Sequence, residues 1–435
     1  MIAAVLALDH AAFLLCLSLY CVLGTSYAWI LAAYLGNRRR GEAAEARILA
    51  LPLPPDDALP VVLVQLPTFN EGKLVQRLAQ AVAGLDWPRE KLHVEILDDS
   101  TDASFAESQR AAESLRAQGV AAEAIHRDDR RGFKAGALAE SLARTREPFV
   151  AMLDADYVPH PDFLKNCMRP LLHDEKLALA QARCDYLNGN ENLVTRTQQR
   201  ILDAHFLVEQ AARSWSGQIV PFNGTCGVWR RAAIDDAGGW HGDTLAEDMD
   251  LSYRVQLKGW RGLFLASVTV PGELPRTLEA WRRQQFRWTK GSAEVTRKLL
   301  AAVWRAPLGL DRKLVSTLHL GGGLFGFVFG LTVVTGLIDL AVGRGLTTAS
   351  LALLALLAVE GIAGPAILEL VGQKFARGAS ILSELRLLPQ VTGLRLGVGL
   401  VNVGGASEAL FGHGSEFVRT PKKGGAVDPM RATQV

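Results

Sequence analysis

Two aspartates one residue apart, Asp154 and Asp156, follow four uncharged residues, Val150 to Leu153. Carboxylates leaving the end of an apolar run are hard oxygen donors. A pair of them can hold Mg²⁺ or Mn²⁺ and leave coordination positions open to phosphate oxygens. Asp-x-Asp alone is also an ordinary solvated turn. Asp98 and Asp99 end another apolar run, where they could accept hydrogen bonds from a nucleobase or ribose, or close an Asx turn with Ser100 and Thr101. Lys134, in Arg131-Gly132-Phe133-Lys134-Ala135-Gly136, could meet a diphosphate as a point charge, or be a surface lysine. Ala246-Glu247-Asp248 opens a helix after Gly238-Gly239-Trp240. Acidic residues in a first turn complement the helix dipole; one of them could equally serve as a general base toward a hydroxyl. Gln284-x-x-Arg287-Trp288 lies in a segment with Trp281, Arg282 and Arg283. That composition fits an interfacial belt as well as a platform on which Trp288 packs a sugar ring.

The elements that would position these residues alternate. Val61–Val64, Val94–Leu97 and Phe149–Leu153 read as buried strands, with a weaker strand at 121–126. Helical patterns occupy Lys73–Gly84, Ser104–Gln118 and Ala135–Ala143. This order predicts an α/β fold with a mostly parallel, Rossmann-like sheet. Ligands in such sheets bind beyond the carboxyl ends of the strands. Polar clusters fall at three of those ends: Thr68 to Glu71, Asp98-Asp99 and Asp154-Ala155-Asp156. The convergence argues one site.

The 435 residues carry a formal charge of +2 with no basic tract through the middle, so nothing points to nucleic acid. Residues 11–36 and 314–338 are uncharged, each long enough to span a bilayer core of ~30 Å. Arg38, Arg39 and Arg40 follow the first run, which therefore reads as a retained helix ending in the cytoplasm rather than a signal peptide. Arg312 and Lys313 precede the second run. A third span is expected from Thr347 to Leu370, with Glu360 inside it and Lys374 and Arg377 after it. The expected organisation is an N-terminal transmembrane helix (1–40), a cytosolic α/β domain (58–275), interfacial helices (276–312) and two transmembrane helices (313–372). Interfacial or membrane-associated helix (373–411) and a tail (412–435) follow. Five cysteines without metal-ligand spacing read as small buried hydrophobes in a reducing compartment.

In their order, these motifs resemble the processive family 2 glycosyltransferases, the group containing cellulose and hyaluronan synthases. The match runs over residues 60–300 through Pro67-Thr68-Phe69-Asn70-Glu71, Leu97-Asp98-Asp99-Ser100, Lys134-Ala135-Gly136, Asp154-Ala155-Asp156, Phe222-Asn223-Gly224-Thr225, Glu247-Asp248 and Gln284-x-x-Arg287-Trp288. Phrases such as FNGTCGVWRRAA and AEDMDLSYR are most similar to the cellulose-synthase-like A branch, the mannan and glucomannan synthases. The resemblance implies a GT-A fold, a divalent cation and inverting transfer of a hexose from GDP-mannose or UDP-glucose to a growing β-glycan. It implies nucleotide-sugar binding by Thr68, Glu71, Asp98, Asp99, Lys134, Asp154 and Arg287, and metal binding by Asp154 and Asp156. Asp248 would be the base, and Phe222, Gly224, Thr225, Glu247, Gln284 and Trp288 would contact the acceptor. Phe417, Thr420 and Lys422 are similar to the gating loop of cellulose synthases, with Arg419 at a position usually valine. Ala246 stands where the family has threonine. The expected setting is a multi-pass membrane protein with its catalytic domain in the cytoplasm, as a homo-oligomer or with accessory subunits. A lipid glycosyltransferase making a short glycolipid is the alternative, and a silent scaffold a distant third.

Overall fold

A computed structural model describes residues 2–342, 347–358 and 363–412. The expected Glu360 and the gating-loop residues Phe417, Thr420 and Lys422 lie outside them. Two units are distinguished: an α/β unit of Asn37–Gln199 and Arg213–Thr277, and a helical unit comprising the chain up to Gly36, Arg200–Ala212 and the helices from Leu278 onward.

The α/β unit is organised by a seven-stranded sheet in the order β3-β2-β1-β4-β6-β5-β7. The strands are β1 (Val62–Thr68), β2 (Leu92–Asp98), β3 (Ala121–His126), β4 (Phe149–Met152), β5 (Leu177–Tyr186), β6 (Gly227–Arg230) and β7 (Arg261–Gly272). β1 through β4 are mutually parallel where they pair, as are β5 and β7. Largely apolar runs dictate this: in β1 every residue from Val62 to Leu66, Gln65 included, is buried, as expected of strands covered on both faces. The covering helices bury one stripe each. In Leu74–Ala83 it is Leu74, Val75, Leu78, Ala79 and Val82, the spacing of one helix face.

β6 is the exception, antiparallel to both β4 and β5. Its first residue, Gly227, pairs with the last residue of β4, Met152. The reversal brings the loop before β6 beside the loop after β4. Phe222-Asn223-Gly224-Thr225 thereby lies next to Asp154-Ala155-Asp156, although neither strand alone suggests it.

The helical unit contains Leu278–Arg305, Leu310–Gly321, Phe325–Ala341, Thr348–Ala358, Gly364–Arg377, Ile381–Leu385 and Leu388–Phe411. Buried or part-buried ion pairs tie it together: Arg200 with Glu384 at 2.5 Å, Arg377 with Asp203 at 3.0 Å, Arg395 with Glu369 at 2.7 Å and Lys290 with Glu408 at 2.8 Å. Ala7–Leu49 and Leu310–Ala341 are long and apolar enough to cross a membrane. The first helix runs on past Gly36 to Leu49 because Gly41-Glu42-Ala43-Ala44-Glu45-Ala46-Arg47 is rich in strong helix formers. The segment expected as a third span is described as Thr348–Ala358 and Gly364–Arg377, either side of residues outside the description. Cys21, Cys167, Cys184 and Cys226 are buried and every cysteine is free, as the composition leads one to expect.

Candidate active site

Four motif residues meet at the carboxyl edge of the sheet. The Lys134 ammonium donates to Asp154 Oδ1 at 2.6 Å and to the Gly224 carbonyl at 2.8 Å. Burial works to lower the Lys134 pKa, but the carboxylates of Asp154, Glu247 and Asp248 outweigh it and leave it raised. Asp248 sits on the other side of Gly224: a methyl group added to that glycine would come within 2.8 Å of Asp248 Oδ2 and 3.6 Å of Lys134 Nζ. The Asp248 carboxyl is pushed up to about 7, first by burial, then by the neighbouring Glu247 carboxylate, with Lys134 opposing. Part of the Asp248 surface remains open, yet the carboxyl itself is surrounded by protein.

The backbone around this cluster is unusual. The described non-glycine residues with left-handed φ are Asn70 (54°), Phe133 (49°) and Cys226 (60°). Each adjoins a motif at the same sheet edge: Asn70 within Pro67–Glu71, Phe133 before Lys134, Cys226 after Thr225. Such conformations cost about 1–3 kcal/mol and persist where the surroundings enforce them. Here the enforcement is visible. The Asn70 amide donates to Ser100 Oγ (2.8 Å), and its side-chain oxygen accepts from the Thr101 amide (2.9 Å). The Cys226 amide donates to the Met152 carbonyl (2.8 Å).

A buried glutamine braces the loop before β6. Gln181 of β5 accepts from the Asn223 amide at 3.2 Å and donates to the Thr225 carbonyl at 3.0 Å. Thr225 Oγ1 in turn accepts from the Asp154 amide at 2.9 Å. Ser252 completes the frame: its hydroxyl accepts from the Phe222 amide (2.7 Å) and donates to the Asp248 carbonyl (2.5 Å). Gln181 and Ser252 carry no motif signal; a glutamine flanked by Ala180 and Ala182 looks like a gap in an apolar run.

Several of the residues expected to meet a ligand also make framework contacts. Asp98 accepts from the Ser100 amide at 2.7 Å and closely from the Ser108 hydroxyl, the turn-closing arrangement. The Phe222 ring is in the core, 2% exposed and packed edge-on against Trp229 at 5.4 Å, so this side chain is not placed to touch an acceptor. Burial of its ring contributes more to the fold than exposure to a polar sugar could. Thr225 uses its hydroxyl on Asp154. Asp99 is fully engaged by Arg127, which donates through Nε (2.7 Å) and Nη2 (2.5 Å) in a bidentate pair. Arg127 further donates to the Phe133 carbonyl (2.9 Å) and to Glu140 (3.1 Å), which joins β2 and β3 to the Lys134 loop. Sequence reasoning missed Arg127 because it stands in the charged run Arg127-Asp128-Asp129-Arg130-Arg131, where none looks special. Thr68 is buried at the end of β1 with its hydroxyl unsatisfied among the described groups, and Glu71 follows on the same loop. Gln284, Arg287 and Trp288 belong to helix Leu278–Arg305 of the helical unit, where Trp288 is 45% exposed.

Asp154 and Asp156 fit a hard divalent cation. Both leave the end of β4, and Asp154, about one-third exposed, already carries a positive group, the Lys134 ammonium. Asp156 is nearly buried, its carbonyl held by Arg77 at 3.2 Å. Two carboxylates suffice when phosphate oxygens and water supply the remaining ligands.

Residues 149–362 match the family described as glycosyl transferase family group 2. The chain carries a family 2 glycosyltransferase domain. Curated relatives of this glycosyltransferase domain include glucomannan 4-beta-mannosyltransferase 1 of Oryza sativa subsp. japonica, 45% identical over 264 residues, 58% of this chain and 51% of that protein. Glucomannan 4-beta-mannosyltransferase 9 of Arabidopsis thaliana is 43% identical over 248 residues, 56% of this chain and 46% of that protein. The chain spans about half the length of the curated relatives it matches. The resemblance to the mannan and glucomannan synthases is borne out by these matches. Among solved structures, a mannosyltransferase from Pyrobaculum calidifontis in complex with GDP-Man and Mn²⁺ aligns with a TM-score of 0.54 at 20% identity, covering 90% of this chain and all of that one. The shared α/β fold is the GT-A-like arrangement expected from the strand and helix order.

Proposed function

We propose that this chain is a membrane-bound inverting mannosyltransferase that moves mannose from GDP-mannose to a growing β-glycan. The observation that carries the reading is the cluster of Lys134, Asp154, Gly224 and Asp248 at one sheet edge: a cation on a carboxylate beside a carboxyl whose pKa is about 7. The glucomannan mannosyltransferases at 43–45% identity support the sugar and the β-linkage, and the GDP-Man and Mn²⁺ of the structural neighbour support the donor and the cation.

In this mechanism the acceptor hydroxyl attacks the anomeric carbon, the bond from that carbon to the diphosphate oxygen breaks, and GDP leaves. The hydroxyl proton passes to Asp248, and attack opposite the leaving group inverts the anomeric centre. Lys134 holds the diphosphate by charge. A divalent cation bound by Asp154 and Asp156 would supply further neutralisation of the leaving group. Glu247, the chain neighbour of Asp248, is assigned to the acceptor side. The two long apolar helices support membrane anchoring, and Arg38–Arg40 after the first support a cytoplasmic α/β unit.

The test is product size and donor. Membranes carrying the chain receive labelled GDP-mannose or UDP-glucose with Mn²⁺. Label from GDP-mannose in a β-mannanase-sensitive polymer is expected. Incorporation only from UDP-glucose would overturn the donor, and label moving into organic solvent as a small glycolipid would replace the polymer with a lipid acceptor. Asp156→Ala is expected to lower turnover at least about a hundredfold, in line with loss of a leaving-group stabiliser. Its remaining activity should no longer respond to added Mn²⁺; an unchanged cation response would remove Asp156 from the metal site.

A further inference from the structure

Arg127 and Arg130 stand three residues apart in the loop between β3 and helix Phe133–Arg144, and they are used very differently. Arg127 spends its donors on Asp99, Glu140 and the Phe133 carbonyl. Neighbouring Arg131 pairs with Asp129 at 3.2 Å. Arg130 has neither. No described carboxylate pairs with it, its Nε is buried without a hydrogen-bond partner, and its guanidinium sits over the Phe69 ring, Cζ 3.5 Å from the centroid. The Phe133 ring stands 5.5 Å away as a second aromatic wall. Contact with the two rings confines the guanidinium and leaves its terminal N–H groups for something else.

The fold says where this edge is. Phe69 follows β1 and Arg130 follows β3, with the end of β2 stitched to that of β1 through Asp99, whose amide donates to the Thr68 carbonyl (3.1 Å). β4, with Asp154 and the Lys134 ammonium, lies on the opposite side of β1 from β2 and β3. With Asp248 beside Gly224 on the β6 side of β4, a nucleotide-sugar whose diphosphate is held at β4 and whose sugar approaches Asp248 would extend its base the other way, toward β2 and β3, across strands about 4.8 Å apart. A flat, aromatic-walled guanidinium at that end suits a planar heteroaromatic ring with two adjacent acceptors. Guanine offers O6 and N7 to such a fork; uracil has no equivalent acceptor pair.

We propose that Arg130 reads the donor base, donating its guanidinium fork to the O6 and N7 edge of guanine and so setting the preference for a guanosine over a uridine nucleotide. The inference rests on the GDP-mannose reading and deepens it. Its test is binding of GDP, 7-deaza-GDP and UDP to the full chain in detergent with Mn²⁺, for wild type, Arg130→Gln and Arg130→Lys. Wild type should bind GDP about tenfold to a hundredfold more tightly than 7-deaza-GDP, which lacks the N7 acceptor. Arg130→Gln should bind both equally, having lost that factor for GDP alone, and Arg130→Lys should keep charge without restoring the preference. Equal weakening of GDP, 7-deaza-GDP and UDP would make Arg130 a phosphate ligand and overturn the assignment, with the GDP donor intact. Tighter binding of UDP than GDP by wild type would instead sink the donor reading, and this assignment with it. Wild type binding 7-deaza-GDP as tightly as GDP would overturn the assignment even if the variants fail to fold.

Discussion

With Asp248 as the proposed base, Asp248→Asn is expected to lower the proposed mannosyl transfer by about 10²- to 10⁴-fold while GDP binding stays within about twofold, the range for loss of a positioned base with nucleotide contacts intact. Asparagine keeps the size and the amide contact of the original, and Lys134 keeps Asp154 and the Gly224 carbonyl as partners. The wild-type rate should also carry the base's titration. With the carboxyl at about 7, kcat/KM rises with pH through neutrality and levels off above it. Stability moves the opposite way. The folded chain retains a proton up to about 7 that the unfolded chain releases near 3.8, so stability from this group is full below 3.8 and lost as pH rises through 7. Asp248→Asn removes that dependence, and thermal midpoints of both proteins in detergent across this window would show it. An Asn variant with wild-type turnover would take the base role away from Asp248.

Gly224→Ala should be nearly as damaging, for a reason independent of charge. Gly224 has φ +78°, which L side chains rarely adopt, and its new methyl group would press on Asp248 Oδ2 at 2.8 Å. Either Asp248 swings aside or the loop shifts and withdraws the carbonyl that holds Lys134. A displacement of about 1 Å can cost about a hundredfold in rate. The expected signature is a fall in kcat of that size with little change in nucleotide affinity, measured by single-turnover transfer alongside GDP binding. Full activity would mean that the loop before β6 does not shape the reacting centre.

How much of this could be read from residue order depends on the distance over which each feature is encoded. β1, β2 and β4 are legible because Val62–Leu66, Val94–Leu97 and Phe149–Met152 are short, largely apolar runs, broken only by Gln65 and Glu95. β5 is not, since Leu177-Ala178-Leu179-Ala180-Gln181-Ala182 has the composition of a helix, and its burial between neighbouring strands overrides that preference. β6 has four residues and an orientation no local signal specifies. Lys134, Asp154 and Asp248 were legible as residues, but their meeting depends on that reversed strand. Asp98, Phe222 and Thr225 show the opposite failure: a motif marks residues needed at a site without saying which face the ligand and which hold the others in place. Gln181, Ser252 and Arg127 each brace a partner far away in sequence, Asn223 and Thr225, Phe222, and Asp99 respectively, and no local pattern marks those contacts.

The antiparallel course of β6 also governs when the site can exist. Thr225 reaches Asp154 across 71 residues, and Gly224 reaches Lys134 across 90. Closing loops of that length costs entropy before any contact repays it, so pairings of this kind form late in folding and are exposed to early loss. The β1–β4 half of the sheet, with its local βα units, can consolidate while the polypeptide is still being made, but it holds no complete catalytic cluster. Loop-closure entropy therefore predicts that the cluster is completed only once the four-residue β6 sits between β4 and β5.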